Sequence, residues 1–124
     1  MSAAVIEWQI LATDPNAVAE FYGKLFGWQV DADNALGYRR ITTSQAATAT
    51  GVAGGIWPAP PTARNFVQLF IGVDDVNRYY DAAKGLGATS IVSPQQLPDG
   101  DALAIMTDPF GMPFGIIRKA TPGA

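Results

Sequence analysis

The feature that most limits what this chain can fold into is an internal echo. Asp14-Pro15 opens a segment ending in Leu25-Phe26-Gly27-Trp28, and Asp74-Asp75 opens another ending in Gly85-Leu86-Gly87-Ala88. In each copy an apolar, strand-like run ends at the acidic residue and a helix-like run of the same length follows. A glycine then stands thirteen residues after the first aspartate, and the copies lie sixty residues apart. A repeat on that scale predicts two similar modules, with function sought on the concave surface between them.

The pattern can be read element by element. Residues 5–11 alternate as a strand, with Trp8 and Ile10 on one face and Glu7, Gln9 and Leu11 on the other. Asp14 suits an N-cap with Pro15 at the first helical position, and Val18, Phe21, Tyr22 and Leu25 recur at helical spacing up to a stop at Gly27. Phe21, Tyr22, Phe26 and Tyr80 are expected to pack between helix and sheet. Strands are predicted at 28–30, 37–43 and 50–57. The second copy predicts a strand at 66–73, a helix capped by Asp74 or Asp75 and ended by Gly87, and strands at 88–92, 102–107 and 113–118. Ser93 to Gly100, with two prolines, reads as an exposed loop. The reading is α+β: a single domain, 1–124, holding one βαβββ module at 4–57, a proline-rich linker at 58–65 and a second module at 66–119.

Composition narrows the function. The formal charge is −3 and the eight basic residues are scattered apart from Arg39-Arg40, so the chain cannot assemble the basic face that nucleic acid requires. No apolar run approaches the roughly 18 to 20 residues of a membrane span, and the first residues lack a signal-peptide pattern, so the expectation is a soluble cytoplasmic protein with no membrane partner. Charged residues are 15% of the chain, against about a quarter in an ordinary domain. Surface covered by a second copy would explain the low figure, as would the alanine-rich and glycine-rich composition.

Four stretches carry a resemblance: Asp14 to Trp28, Gly54-Gly55-Ile56-Trp57-Pro58, Ile71 to Val76, and Asp108-Pro109-Phe110-Gly111-Met112-Pro113-Phe114. In this order, on the doubled module pattern, they resemble the glyoxalase, bleomycin-resistance and extradiol-dioxygenase group, the vicinal oxygen chelate superfamily. The resemblance implies two modules whose sheets curl into a half-open barrel around a cleft, a homodimer, and, in metal-dependent members, histidine and glutamate ligands on the first and last strands of each module.

Carried over one position at a time, the implied ligands fail. The first falls on Glu7, which can ligate a divalent ion. The ligand opening the second module falls on Gln68, whose amide oxygen is a poor donor to a transition metal. The ligand on the final strand falls on Gly115, and the remaining one falls near Gly54-Gly55-Ile56, where no side chain offers a donor. With no histidine and no cysteine in the chain, one carboxylate and one amide are too few for zinc, nickel or iron. The expectation is no metal and no cofactor.

Other chemistry must then come from carboxylates, tyrosines, lysines and arginines. Glu7 is the candidate base, and by module symmetry Gln68 would orient a polar ligand beside it. Tyr38, Trp57, Phe70 and Phe114 lie on strands expected to line the cleft, where ring faces would bind a planar or apolar ligand. Only one of Arg39 and Arg40 can face the cleft, and Arg40 is taken as that residue. Were the ligand cationic, as the acidic balance suggests, Glu7, Asp31 or Asp33 would neutralise it. No phosphate loop, nucleophile elbow or triad can be built. The expected function is metal-independent binding of a small organic molecule by sequestration. The alternative is a metal-free lyase or isomerase acting on a carbonyl compound, with Glu7 as general base.

Overall fold

The computed structural model describes residues 3–32, 38–43, 52–59 and 62–120. The element order is β1 (Val5–Ala12), α1 (Pro15–Phe26), β2 (Gln29–Asp31), β3 (Arg39–Thr42), β4 (Gly54–Pro58), β5 (Phe66–Gly72), α2 (Val76–Gly85), β6 (Thr89–Gln96), β7 (Ala102–Thr107) and β8 (Pro113–Arg118). This is the doubled βαβββ order of an α+β chain. The expected strand starts at Gly37 and Thr50, Asp33, and the Pro60-Pro61 part of the linker lie outside the described residues. Pro58 closes β4, its neighbour Ala59 donating to Ala12 O at 2.7 Å. The chain divides into two compact units, residues 7–67 and residues 1–6 with 68–124.

In the first unit β1 and β4 are parallel neighbours, with Gln9 beside Gly55 and Leu11 beside Trp57. β4 pairs antiparallel with β3, and β3 with β2. Asp14 caps α1 by accepting from Ala17 N at 3.1 Å, Pro15 begins the helix, and Gly27 ends it at φ 72°, a left-handed geometry that glycine adopts without steric cost. The face beneath α1 buries Ala12, Ile41 and Ile56 completely, with Trp8, Ile10, Val18, Ala19 and Trp28 packed around them. Each buried isoleucine contributes about 1.5–3 kcal/mol by leaving water. Phe21 and Phe26, expected in this core, are instead 58% and 59% exposed. The apolar stripe of α1 is wider than the sheet face below it, so its marginal rings form a surface ladder through Tyr22 and Trp28.

The second unit repeats the plan. β5 and β8 are parallel, β8 and β7 antiparallel, and β7 and β6 antiparallel with two register shifts. Asp75, the second of the two aspartates, caps α2 through Arg78 N at 3.1 Å. The helix stops at Gly85, two residues before the expected glycine, and Gly87 takes φ 102° just beyond it. Val76, Ala104 and Ile116 form the core under α2, while Phe70, Leu103 and Ile117 form a second cluster. The expected loop at 93–100 is shorter than read, because β6 continues through Pro94 to Gln96. The shift between Val92 and Gln95 accommodates the proline on a strand paired only to β7. No helix among the described residues is long and apolar enough to cross a membrane.

Candidate functional site

Strand alternation assigns the face of the first unit that α1 does not cover. On β1, Trp8, Ile10 and Ala12 point to the helix side, so Glu7, Gln9 and Leu11 point away from it. On β3, Ile41 is buried under the helix and Arg39 donates through Nε and Nη2 to Asn16 of α1, at 2.9 and 2.5 Å. Arg40 therefore takes the opposite face, beside Asp31 in the β2–β3 register. On β4, Ile56 goes under α1, and Gly55 and Trp57 go with Arg40.

The centre of this face is Gly55, flanked in register by Gln9 and Arg40. Tyr38 lies directly over it, and a Cβ built on Gly55 would run into the phenol hydroxyl and the ring carbon that bears it. The Tyr38 ring stacks on Trp57 with centroids 4.6 Å apart and planes 23° from parallel. Burial pushes the Tyr38 phenol well above the ordinary tyrosine range, and the charge of Glu7 pushes it further. A hydrogen bond with Gln9 and the charge of Arg40 oppose them without reversing the direction. Tyr38 is thus a neutral phenol held among Gln9, Trp57 and Glu7. Chemically, the face offers a carboxylate, a guanidinium and an aromatic pair, which suits a small molecule with a flat portion and polar edges.

Tyr38, Arg40, Trp57 and Glu7, all expected from sequence, come together here. Gln9 was not among them, although its alternation with Glu7 carried the signal. It is 3% exposed and stands in register with Gly55, beneath the phenol. Gln68 and Phe70 belong to the second unit, on one face of β5, and are 2% and 1% exposed. Phe114 does not join Phe70. It packs with Val76 and Ile116 under α2, because Gly115, not Phe114, is the residue in register with Phe70. Residues 114 and 115 cannot share a face of one strand, so choosing Gly115 as an inward position already excluded Phe114.

The positions where the resemblance places metal ligands do not fit a metal. Glu7 is the one carboxylate among them, and the glycine positions are covered by rings, Tyr38 over Gly55 and Phe70 over Gly115. Among the described residues, no group of three or more carboxylate, histidine or cysteine side chains could hold an ion.

A family model described as glyoxalase-like domain matches residues 4–117. The CFP32 proteins of Mycobacterium bovis and Mycobacterium tuberculosis, named after glyoxylase, are 29% identical to the chain over 108 residues. The match covers 84% of this chain and 41% of each relative, so the chain spans about two-fifths of their length. Among solved structures, Streptomyces coelicolor methylmalonyl-CoA epimerase in complex with 2-nitronate-propionyl-CoA superposes with a TM-score of 0.61 at 18% identity, covering 97% of this chain and 100% of that one. A glyoxalase/bleomycin resistance protein/dioxygenase superfamily member from Vibrio splendidus gives 0.63 at 13% identity, covering 95% and 100%. At such identities the likeness concerns the fold.

Proposed function

The chain belongs to the glyoxalase-like domain family, and from that premise we propose that it binds a small organic molecule without a metal, holding it stoichiometrically instead of converting it. The observation that carries this reading is the face of the first unit turned away from α1. There the Tyr38–Trp57 stack offers apolar area, Glu7 and Arg40 offer opposite charges, and the described residues hold no donor set for an ion. Sequestration needs ring faces and charge, which these residues supply. We further take the protein to act as a cytoplasmic homodimer with neither nucleic acid nor membrane as partner, and the chain as one domain with modules at 4–57 and 66–119.

Native mass spectrometry of protein purified without chelators, paired with elemental analysis, tests the proposal. A dimer retaining a small organic mass and no stoichiometric metal is the expected result. About one equivalent of metal per chain would overturn it.

One observation favours a second reading, a metal-free isomerase or lyase acting on a carbonyl compound. The Glu7 carboxylate acts on the enclosed Tyr38 phenol, so a candidate base lies beside a polar group on the same face. The epimerase neighbours bind CoA esters, methylmalonyl-CoA among them. With methylmalonyl-CoA in deuterated water, incorporation of deuterium at C2 by the wild type but not by Glu7→Gln would establish this reading. No incorporation by either leaves binding as the activity.

A further inference from the structure

The two glycines on the helix-distal faces of β4 and β8, Gly55 and Gly115, are sixty residues apart in sequence, the same interval as the opening echo. Each stands beside the first strand of its module, Gly55 in register with Gln9 and Gly115 with Phe70. Each is also roofed by an aromatic ring of a neighbouring strand or its approach. Tyr38 fills the space over Gly55, and a Cβ on Gly115 would lie 2.5 Å from Phe70 Cε1 and 2.7 Å from its Cζ, distances real Cβ atoms do not tolerate. Neither glycine has the positive φ seen at Gly27, Gly87, Gly100 and Gly111, so backbone conformation does not demand glycine here. The demand comes from the ring.

We infer that Gly55 and Gly115 are matched seats for aromatic rings, and that Tyr38 and Phe70 close these strand positions to any side chain that would bind a metal. The inference deepens the metal-independent reading above and rests on it. Donor count says that the chain lacks ligands. The seats add that a ligand cannot be supplied by substitution at the glycine alone, because the ring must leave first. The arrangement also explains why β4 carries two successive glycines. Gly54, on the helix side, seats Trp8 in the same way, a Cβ there meeting Trp8 Cε3 at 2.5 Å, so β4 accepts a ring on each face.

The test is a double-mutant cycle of Gly55→Ala, Tyr38→Ala and the pair, read as thermal midpoints, with equilibrium dialysis of the wild type against Zn²⁺, Ni²⁺ and Mn²⁺. Gly55→Ala should lower the midpoint by about 5–15 °C, as overpacking a filled site does. The pair should lose clearly less than the two single losses added, because removing the ring vacates the space the new methyl needs. If Gly55→Ala does not fold but the pair does, that rescue supports the inference equally. If the first module tolerates neither, the cycle of Gly115→Ala with Phe70→Leu decides the question in the second. Additive losses, or a Gly55→Ala midpoint equal to that of the wild type, would overturn the ring seats while leaving metal-independent binding in place. Saturable uptake of one ion per wild-type chain would overturn both.

Discussion

Tyr38 shows how a single side chain is set by its surroundings. Folded, it holds its proton above the usual tyrosine value near 10, so as pH rises the unfolded chain loses that proton first. Its contribution to stability is therefore intact below pH about 10 and is lost as the pH climbs above it. Tyr38→Phe removes this dependence. The stability difference between wild type and Tyr38→Phe, measured by urea denaturation, should be constant from pH 7 to 9 and shrink above pH 10; a difference that stays constant to pH 11 would refute the assignment. Trp57, the partner in the stack, is where affinity should be felt. For whatever ligand the purified protein retains, Trp57→Ala should weaken binding by about tenfold, on the order of one aromatic contact, in a calorimetric titration. For Glu7, Tyr38, Arg40 and Trp57 the face of each strand could be assigned from sequence because strand alternation is a local rule. Gln9 obeys the same rule and was passed over because, on the first strand, only Glu7 stood where the resemblance places a ligand. Phe114 was misplaced because an aromatic residue on a strand was counted without its parity against Gly115.

At the scale of elements, the helices are fixed at their ends by matched aspartates. Asp14 and Asp75 each accept one backbone N–H of the first turn, from Ala17 and Arg78. Asp14→Ala and Asp75→Ala should each cost about 1 kcal/mol in denaturant unfolding with the slope unchanged; a loss below a few tenths would mean that solvent replaces the cap. The turn from β7 to β8 depends on Asp108 in the same way, since its side chain accepts from Phe110 N at 2.8 Å and Met112 N at 2.9 Å. Caps and turns of this kind could be read from sequence because they involve residues two to four apart. The extension of β6 to Gln96 could not, since a proline-containing run reads as loop until the pairing with Leu103 and Ala102 is known. The exposure of Phe21 and Phe26 was hidden for a related reason. Helical spacing gives the direction of a side chain but not the width of the surface waiting for it.

For the whole molecule, the two units draw on the chain unevenly. Residues 1–6 group with 68–124, and Gly72 donates its N–H to Ala4 O at 2.8 Å while Ile6 packs so closely on Gly72 that a Cβ there would lie 3.0 Å from Ile6 Cγ2, tighter than ordinary contact. Deleting residues 1–4 should speed hydrogen exchange at the Gly72 amide and leave the Gly27 amide, bonded to Gly23 O within the other unit, at its wild-type rate. Equal acceleration at both sites would show that the segment supports the chain globally. Near the far end, Asp101 ties the last described residues down, accepting from Ala120 N at 2.6 Å and pairing with Lys119 at 3.5 Å.

The sequence by itself determined the repeat, the order of strands and helices, the caps, and the shortage of metal donors. These depend on composition and on neighbours a few residues apart. Only the tertiary structure decided that the glycines of β4 and β8 are filled seats, that Gln9 meets Tyr38 at Gly55, and that Phe114 lies under α2. Each of those facts joins strands distant in sequence, and glycine, having no side chain, cannot announce what occupies the space above it.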